Sequence, residues 1–337
     1  MSRVAVLASP RARTFRREPS ALGELRATSQ ALGATFAACD DAATTKAALE
    51  AAREAGVGLI AVAGGDGTLG HVLAEAVAVY GEGGTPEAVP PLGLLRGGTM
   101  NTVANGLGVP RGAPVARLRL LAGLMANWHS GGHAGLSGRR GPGAGPTPPE
   151  VRERPSLKIG DRLGFLFGTG VFERFLSAYY AKGHGSPTVA TAALTIGHLA
   201  ASTLVGGAYA RDLGARHRLT LEVDDNLWPE RDFLTVAAGT VPEVGLGFKP
   251  FHHADAFTGA FHLIGVTAPA PTVVFDLPRV WLGKDLRSTS GRGVVARHAT
   301  LTPPRGTSLA YMVDGDCFTT EGPLTVEVGP TARFVIA

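Results

Sequence analysis

Apolar and polar residues follow two patterns in the first 128 positions of the chain. Short apolar runs, which predict strands, occupy residues 4–8, 34–38, 57–63 and 91–95. Between these runs, apolar residues recur every three or four positions and predict helices near residues 22–32, 43–55, 72–80 and 115–125. Strands that alternate with helices favour an α/β domain with a parallel sheet.

The pattern changes after residue 128. Residues 129–152 are rich in Gly and Pro and predict a linker or long surface loop. Residues 153–337 predict a second, β-rich domain, whose strand-like runs are 157–159, 163–167, 218–223, 232–238, 260–266, 293–299, 309–313 and 324–328. Residues 188–210 are long and apolar enough to span a membrane, but their Ala, Gly and Thr content favours a helix packed on this domain.

Composition narrows the classes of function. The chain has 337 residues, a 45% apolar fraction and a formal net charge of +4, which suits two packed domains and anionic partners. The chain has no long run of Lys and Arg of the kind that would indicate nucleic-acid binding. Cys39 and Cys317 have no metal or redox spacing, and the N-terminus reads as a first strand and not as a signal peptide. We therefore expect a cytoplasmic protein.

The central apolar run ends in a glycine loop, residues 64–70, and a helical pattern follows it. Glycines let backbone N–H groups converge on an anion, and the helix start adds its positive end, so the loop predicts phosphate binding at Gly64, Gly65, Gly67 and Thr68. Asp66 is the only charge in this loop. It suits a ligand of phosphate-bound Mg²⁺ or a base, and the alternative is a helix cap or turn residue.

Two further loops follow predicted strands of the same domain. The strand at 91–95 runs into a loop that contains Gly98, Thr99 and Asn101, which we expect at the same sheet edge, with side chains that hydrogen-bond phosphate or ribose. Ser9 and Arg11 lie after the first strand, where α/β domains bind ligands; a solvated loop is the alternative for the arginine.

A late turn carries two carboxylates. Asp314, Gly315 and Asp316 follow the predicted strand at 309–313. Paired carboxylates at a turn suit a general base and its electrostatic partner, and a plain hairpin turn is the alternative.

Three of these segments together resemble the catalytic family of diacylglycerol kinases, which includes sphingosine kinases, ceramide kinases and bacterial lipid kinases. They are residues 64–68 (Gly-Gly-Asp-Gly-Thr), 91–101 and 313–316 (Val-Asp-Gly-Asp), and their order and separation match over nearly the whole chain. The first motif is shared with NAD kinases, but the chain lacks the Thr-Gly-Ser-Thr-Ala-Tyr type of segment that an NAD kinase carries.

The resemblance implies an NAD-kinase- and diacylglycerol-kinase-like α/β domain that binds ATP and Mg²⁺, followed by a β-sandwich domain that binds the lipid. It implies a phosphotransferase of phospholipid metabolism, cytoplasmic and in transient, peripheral contact with the membrane surface; a homodimer is compatible with it. It assigns Asp316 as proton acceptor for the lipid hydroxyl, Asp66 to Mg²⁺–ATP or to assistance of the base, and Asp314 to support of the turn.

The sequence departs from the family pattern at three positions. Ser9 replaces an Asn in the first loop, Asp316 replaces a Glu, and Thr258 stands where the family has a carboxylate tied to a structural Mg²⁺. These departures keep open a catalytically weakened nucleotide- or lipid-binding protein of the same fold.

Two weaker patterns point to no further active site. Residues 65–70 match a dinucleotide fingerprint formally, but no acid ends the next strand, which disfavours an NAD(P)-dependent oxidoreductase. His252, His253, Asp255 and His262 fit no common metal-ligand spacing, which favours surface or packing roles.

Overall fold

The computed structural model describes residues 3–81, 88–130, 149–174, 214–245 and 247–337. The chain divides into two compact units, Met1–Arg154 with Thr331–Ala337, and Pro155–Pro330. Most of the predicted linker and the apolar stretch at 188–210 lie outside the described residues. Among the described helices, none combines the length and apolar character that a membrane crossing requires.

Helices and strands alternate in the first unit. Its strands are β1 (Arg3–Ala8), β2 (Thr35–Ala38), β3 (Val57–Ala63), β4 (Leu92–Leu94) and the end of β18 (Leu324–Ile336). Its helices are α1 (Arg13–Arg17), α2 (Ser20–Ala31), α3 (Ala42–Glu54), α4 (Asp66–Tyr80), α5 (Thr102–Gly106) and α6 (Pro114–Ser130). The strands pair in parallel in the order β18–β4–β3–β1–β2.

Strand β3 lies in the middle of the parallel strands, and its side chains are apolar on both faces, which suits that position. Nearly all of its residues are buried, as expected of a strand covered by helices on both sides. Helix α3 begins at a capping box, in which Asp41 accepts the N–H of Thr44 at 2.8 Å. Asp41 is therefore the N-cap of a helix that the sequence predicted near residues 43–55.

The last residues of the chain belong to the first unit. Phe334 and Val335, both buried, pair with Leu92 and Gly93 of β4. The predicted strand at 324–328 therefore ends too early. Of the predicted second domain, 153–337, residues 153–154 and the last seven residues, 331–337, belong to the first unit. The physical reason is that this apolar segment pairs with β4 and buries its side chains there.

The second unit is built from antiparallel strands. They are β5 (Glu150–Ile159, which begins in the first unit), β6 (Arg162–Gly164), β7 (Leu166–Thr169), β8 (His217–Arg218), β9 (Thr220–Val223), β10 (Asn226–Leu227), β11 (Asp232–Phe233), β12 (Thr235–Gly239), β13 (Phe261–Val266), β14 (Gly291–Ala296), β15 (His298–Thr302), β16 (Leu309–Val313), β17 (Asp316–Thr320) and the start of β18. Two short helices, α7 (Ala270–Val274) and α8 (Leu277–Trp281), lie between β13 and β14.

Two sheets enclose the core of the second unit. One has the order β14–β13–β12–β7–β16–β17, and the other contains β10–β9–β15–β18. Phe167 and Phe261 from the first sheet share one buried cluster with Leu221, Leu301 and Val326 from the second. This is the packing of a sandwich, so the predicted fold class, an α/β unit followed by a β-rich unit, is confirmed.

Four predicted strands are divided in the structure: 163–167 into β6 and β7, 218–223 into β8 and β9, 232–238 into β11 and β12, and 293–299 into β14 and β15. Residues 293–299 were predicted as a single run, but β14 ends at Ala296, β15 begins at His298, and the two strands lie in different sheets. The break at Arg297 has a cause outside this segment, because Asp224 accepts the N–H groups of Arg297 at 3.0 Å and His298 at 2.9 Å.

Candidate active site

Three loops of the first unit meet at the carboxyl ends of β1, β3 and β4. The N–H of Ser9 donates to the carbonyl of Ala63 at 3.0 Å, and the N–H of Gly97 donates to the carbonyl of Gly64 at 2.9 Å. The carbonyl of Gly97 in turn accepts the N–H of Thr14 at 3.1 Å. The prediction that the two glycine loops share one sheet edge is confirmed, and the Ser9 loop joins them.

Glycines allow the two loops to touch backbone to backbone. A Cβ atom built on Gly98 would lie 2.3 Å from the Cα of Gly65, and one on Gly97 would lie 3.1 Å from the backbone nitrogen of Gly64. A backbone atom cannot move aside as a flexible side chain does. The pairing therefore requires glycine at position 98, for a steric reason that is independent of any ligand.

Asp66 ties the two loops together. Its Oδ2 accepts the N–H of Thr102 at 2.9 Å, and its Oδ1 accepts the N–H of Val103 at 3.0 Å. Burial raises the pKa of this carboxyl group, while the two backbone donors oppose that shift. Asp66 thus bonds the start of α5, which follows the second loop, rather than capping its own helix α4.

Asn101 and Arg96 shape the second loop. Asn101 lies in the left-handed region with a φ of 49°, and its side chain bonds both the N–H of Gly98 (3.1 Å) and its carbonyl (2.9 Å). Arg96 also has a positive φ, 56°, and its guanidinium donates to the side chain of Asn105 at 2.5 Å and the carbonyl of Val109 at 2.7 Å. The Asn101 amide predicted to bind nucleotide is therefore engaged within its own loop.

The remaining predicted side chains differ in accessibility. Ser9, Thr68 and Thr99 are partly buried along the three loops. Arg11 is exposed, and its Nε lies 4.0 Å from Asp40, a surface ion pair of small energetic value. Gly64 lies against the side chain of Thr68: a Cβ atom built on Gly64 would be 2.4 Å from the Thr68 Cβ, so a larger residue at position 64 would clash with it.

In the second unit, Asp314 and Gly315 form a two-residue hairpin turn between β16 and β17. Both residues have positive φ, 48° and 105°, as such turns require. The Oδ1 of Asp314 accepts the N–H groups of Phe165 at 3.0 Å and Leu166 at 2.8 Å. The hairpin is thus present, and its first carboxylate anchors the turn to the start of β7.

A second hairpin in the same unit repeats this arrangement. Asp224, with a φ of 44°, directly follows β9 and accepts two successive N–H groups at the start of β15, just as Asp314 does at β7. Asp316, in contrast, is exposed. The two carboxylates of the late turn therefore differ: Asp314 anchors the turn, and Asp316, two residues later, is accessible to solvent.

Sequence reasoning missed the bonds of Asp66 to Thr102 and Val103 and the loop-shaping role of Arg96. The first joins residues 36 and 37 positions apart, which no local pattern encodes. The role of Arg96 could have been inferred from its position, because it is a polar residue directly before the glycines of the second loop. Thr258, which replaces the family's carboxylate, is exposed, and Gly259 beside it has a φ of 68°.

Comparison with known proteins gives a consistent result. Residues 4–129 match the family model of the diacylglycerol kinase catalytic domain. A solved structure described as a candidate diacylglycerol kinase from Bacillus anthracis str. Sterne is similar with a TM-score of 0.66 at 15% identity, over 100% of this chain and 97% of that chain. Another, described as a diacylglycerol kinase from the same organism, has a TM-score of 0.62 at 15% identity and the same coverage. At such identities the likeness shows the fold, and no curated protein matches the sequence.

Proposed function

From the match of residues 4–129 to the diacylglycerol kinase catalytic domain, we propose that the protein transfers the γ-phosphate of ATP to the hydroxyl of a lipid such as diacylglycerol. The observation that carries the proposal is the meeting of three loops at one sheet edge, with the two glycine loops in backbone contact. This is the edge at which α/β domains bind ligands.

The glycine loop suits the phosphates of ATP. Helix α4 has Gly65 as its N-cap and no side chain capping it, so its first N–H groups and its positive end remain available to an anion. The carboxylate of Asp66 would repel phosphate, but it faces the N–H groups of Thr102 and Val103, which offset its charge. Thr68, Thr99 and Ser9 supply hydroxyl groups around the same loops.

Mg²⁺ fits this site as a partner of the phosphates. It would supply charge neutralisation during phosphoryl transfer. Each oxygen of Asp66 accepts one backbone N–H and retains a lone pair, so this carboxylate can hold the ion while it keeps the loops together. We propose Asp66 as the residue of this chain that holds Mg²⁺–ATP.

The second unit supplies the proton acceptor in this proposal. Asp316 is exposed at the end of the hairpin turn, and Asp314 holds that turn on β7. A carboxylate that accepts the proton of the lipid hydroxyl as the phosphate bond forms makes the oxygen a better nucleophile. Asp314 is the positioning residue and Asp316 the catalytic one.

An apolar surface supports contact with the membrane. Phe275, Trp281 and Leu282, on or next to α7 and α8, are each more than half exposed. Arg279 and Lys284 lie in the same segment. Aromatic side chains flanked by cations suit the interface of an anionic bilayer, so we propose that the protein acts as a peripheral enzyme from the cytoplasm.

Transfer of labelled γ-phosphate from ATP to hydroxyl lipids in mixed micelles with Mg²⁺ tests the proposal. The panel contains diacylglycerol, a sphingoid base, ceramide and phosphatidylglycerol, with NAD as a non-lipid acceptor. We expect one labelled lipid, and loss of labelling in Asp316→Asn. Labelled NADP would instead assign the chain to the neighbouring kinases.

A second candidate function is supported by the departures from the family pattern. Asp316 is one methylene shorter than the family's Glu, and Thr258 has no carboxylate. Saturable ATP binding without any labelled lipid would favour a nucleotide- or lipid-binding protein that kept the fold.

A further inference from the structure

Two adjacent histidines and an aspartate that is distant in sequence converge in the second unit. His252 and His253 follow the fully buried Phe251 and precede the buried Ala254, so the backbone that carries them is fixed on both sides. Asp285 lies in the loop after α8. The ligand atoms of these three residues all lie within 4.8 Å of one another.

The two imidazoles approach the same carboxylate oxygen. The Oδ1 of Asp285 lies 3.2 Å from the Nε2 of His252 and 3.4 Å from the Nε2 of His253. Two ligand atoms held at 2.0–2.1 Å by one tetrahedral zinc ion are about 3.3 Å apart. The two distances to the Asp285 oxygen therefore suit ligands of one ion, and imidazole with carboxylate is a combination that zinc accepts.

His262 provides an independent observation at the same place. It is 1% exposed; the backbone of Phe251 interacts with its imidazole, and among the described residues neither ring nitrogen has a partner at standard hydrogen-bond geometry. Its ring centroid lies 5.3 Å from that of His252 and 5.0 Å from that of His253, and it lines one pocket with His252 and Asp285. At least one ring nitrogen of this buried side chain therefore remains for a bound ion or an ordered water beside it.

Gly293 leaves room for this imidazole. It lies on the neighbouring strand β14, and a Cβ built on it would be 2.6 Å from the Nε2 of His262. Lys284 also lines the pocket, and its ammonium group opposes a cation; it is exposed, however, and its charge is screened by water.

From this geometry we propose that His252, His253 and Asp285 bind one divalent transition-metal ion of the zinc class. Three protein ligands leave a fourth, open position, which a water fills, and His262 is the hydrogen-bond partner of that water. The ion joins the segment that carries the two histidines to the loop after α8. Asp255, grouped with these histidines in the sequence, is exposed and is not among the three ligands.

Metal titration of the full-length, chelator-stripped protein tests the site. We expect one Zn²⁺ per chain, measured by competition with a chromophoric chelator, and roughly 100-fold weaker binding in His253→Ala and in Asp285→Asn, since each loses a ligand. His262→Gln should weaken binding about tenfold, as expected for a group behind the ligands. Co²⁺ should give the visible absorption of a tetrahedral site without the near-ultraviolet band of a thiolate, which excludes the two cysteines.

His298→Ala is the matched control. His298 forms a similar exposed pair with Glu327, at 3.8 Å, in the same unit, and its loss should leave Zn²⁺ affinity unchanged. Thermal unfolding of each metal-free variant shows whether it is folded, and the exposed positions of His253 and Asp285 make them tolerant of substitution. No Zn²⁺ binding by the wild-type protein, wild-type affinity in Asp285→Asn, or an equal loss in His298→Ala would each overturn the proposal.

Discussion

Asp66 accepts the backbone N–H of Thr102 at 2.9 Å, so a carboxylate at the first position of one helix bonds the first residue of another. The only charge of the glycine loop is thereby built into the fold. The loop can present its N–H groups to an anion because its one carboxylate is already occupied by two donors. Asp66 therefore has a structural role, in its two hydrogen bonds to the start of α5, in addition to its proposed role with Mg²⁺–ATP.

Replacement of Asp66 by Asn should affect both roles. The amide keeps one acceptor but turns an NH₂ group towards a backbone donor, so we expect a loss of about 1–3 kcal/mol in the free energy of unfolding, measured by denaturant titration. ATP affinity, measured by calorimetry, should fall as well. The control is Asp41→Ala, which removes a helix cap in the same unit at a cost of about 1 kcal/mol and should leave ATP affinity unchanged. Equal ATP affinity in both variants would contradict the assignment.

Gly98→Ala should open the contact between the glycine loops. Its Cβ would lie 2.3 Å from the Cα of Gly65, so the backbone must move, and we expect ATP binding to be lost together with roughly 1–3 kcal/mol of stability. Gly23→Ala is the matched control. Gly23 lies within α2 with no atom near its would-be Cβ, so this change should stabilise the protein by about 0.5–1 kcal/mol. Normal ATP binding by Gly98→Ala would show that the loop contact is dispensable.

Substitution of Asp316 should affect activity, whereas substitution of Asp314 should affect stability. Asp316→Asn should abolish phosphate transfer without a change in melting temperature, because its side chain is exposed. Asp314→Ala should lower stability by roughly 2–4 kcal/mol, because two buried N–H groups lose their acceptor. Asp224→Ala, the equivalent change in the other hairpin, should lower stability by less, because its hydrogen bonds to Arg297 and His298 are exposed to water, and should leave the activity of the folded fraction intact. Full activity in Asp316→Asn would reject this residue as the base.

His217 should make stability depend on pH. Burial, with a smaller effect of the Arg174 charge, lowers its pKa from 6.5 to about 4. The unfolded chain therefore binds the proton more tightly between these values, so the free energy of unfolding is highest above pH 6.5 and falls as the pH falls towards 4. The loss from this group is at most about 3 kcal/mol. Denaturant titrations at pH 7 and 4.5 should show a smaller difference in His217→Gln; an unchanged difference would contradict this cause.

Trp281 should contribute to membrane contact. Trp281→Ser removes an aromatic side chain that is 56% exposed, and we expect several-fold weaker binding to anionic vesicles in a sedimentation assay. Leu227→Ser is the control, since Leu227 is 58% exposed on a hairpin of the same unit and should have no effect. Equal loss in the two variants would point to general apolar adhesion.

The sequence predicted what depends on local pattern. The run at 57–63 and the glycine loop after it were readable because an apolar strand, a glycine loop and a helix follow one another directly. The partners of Asp66 and Asp314 were not readable, because each carboxylate bonds a backbone more than 30 residues away, and the backbone carries no sequence label. The ligand group of His252 was missed for the same reason, since Asp285 lies 33 positions along the chain.

The pairing of Phe334 with Leu92 has a consequence for synthesis on the ribosome. The first unit begins to form early, yet the strand beside β4 consists of residues 331–337, which emerge after the whole second unit. Until then the edge of β4 has unpaired N–H and C=O groups, the kind of edge that recruits other strands. The nascent chain must therefore keep that edge protected while about 240 further residues are translated. A ribosome that stalls before residue 331 leaves a first unit whose sheet has an open edge.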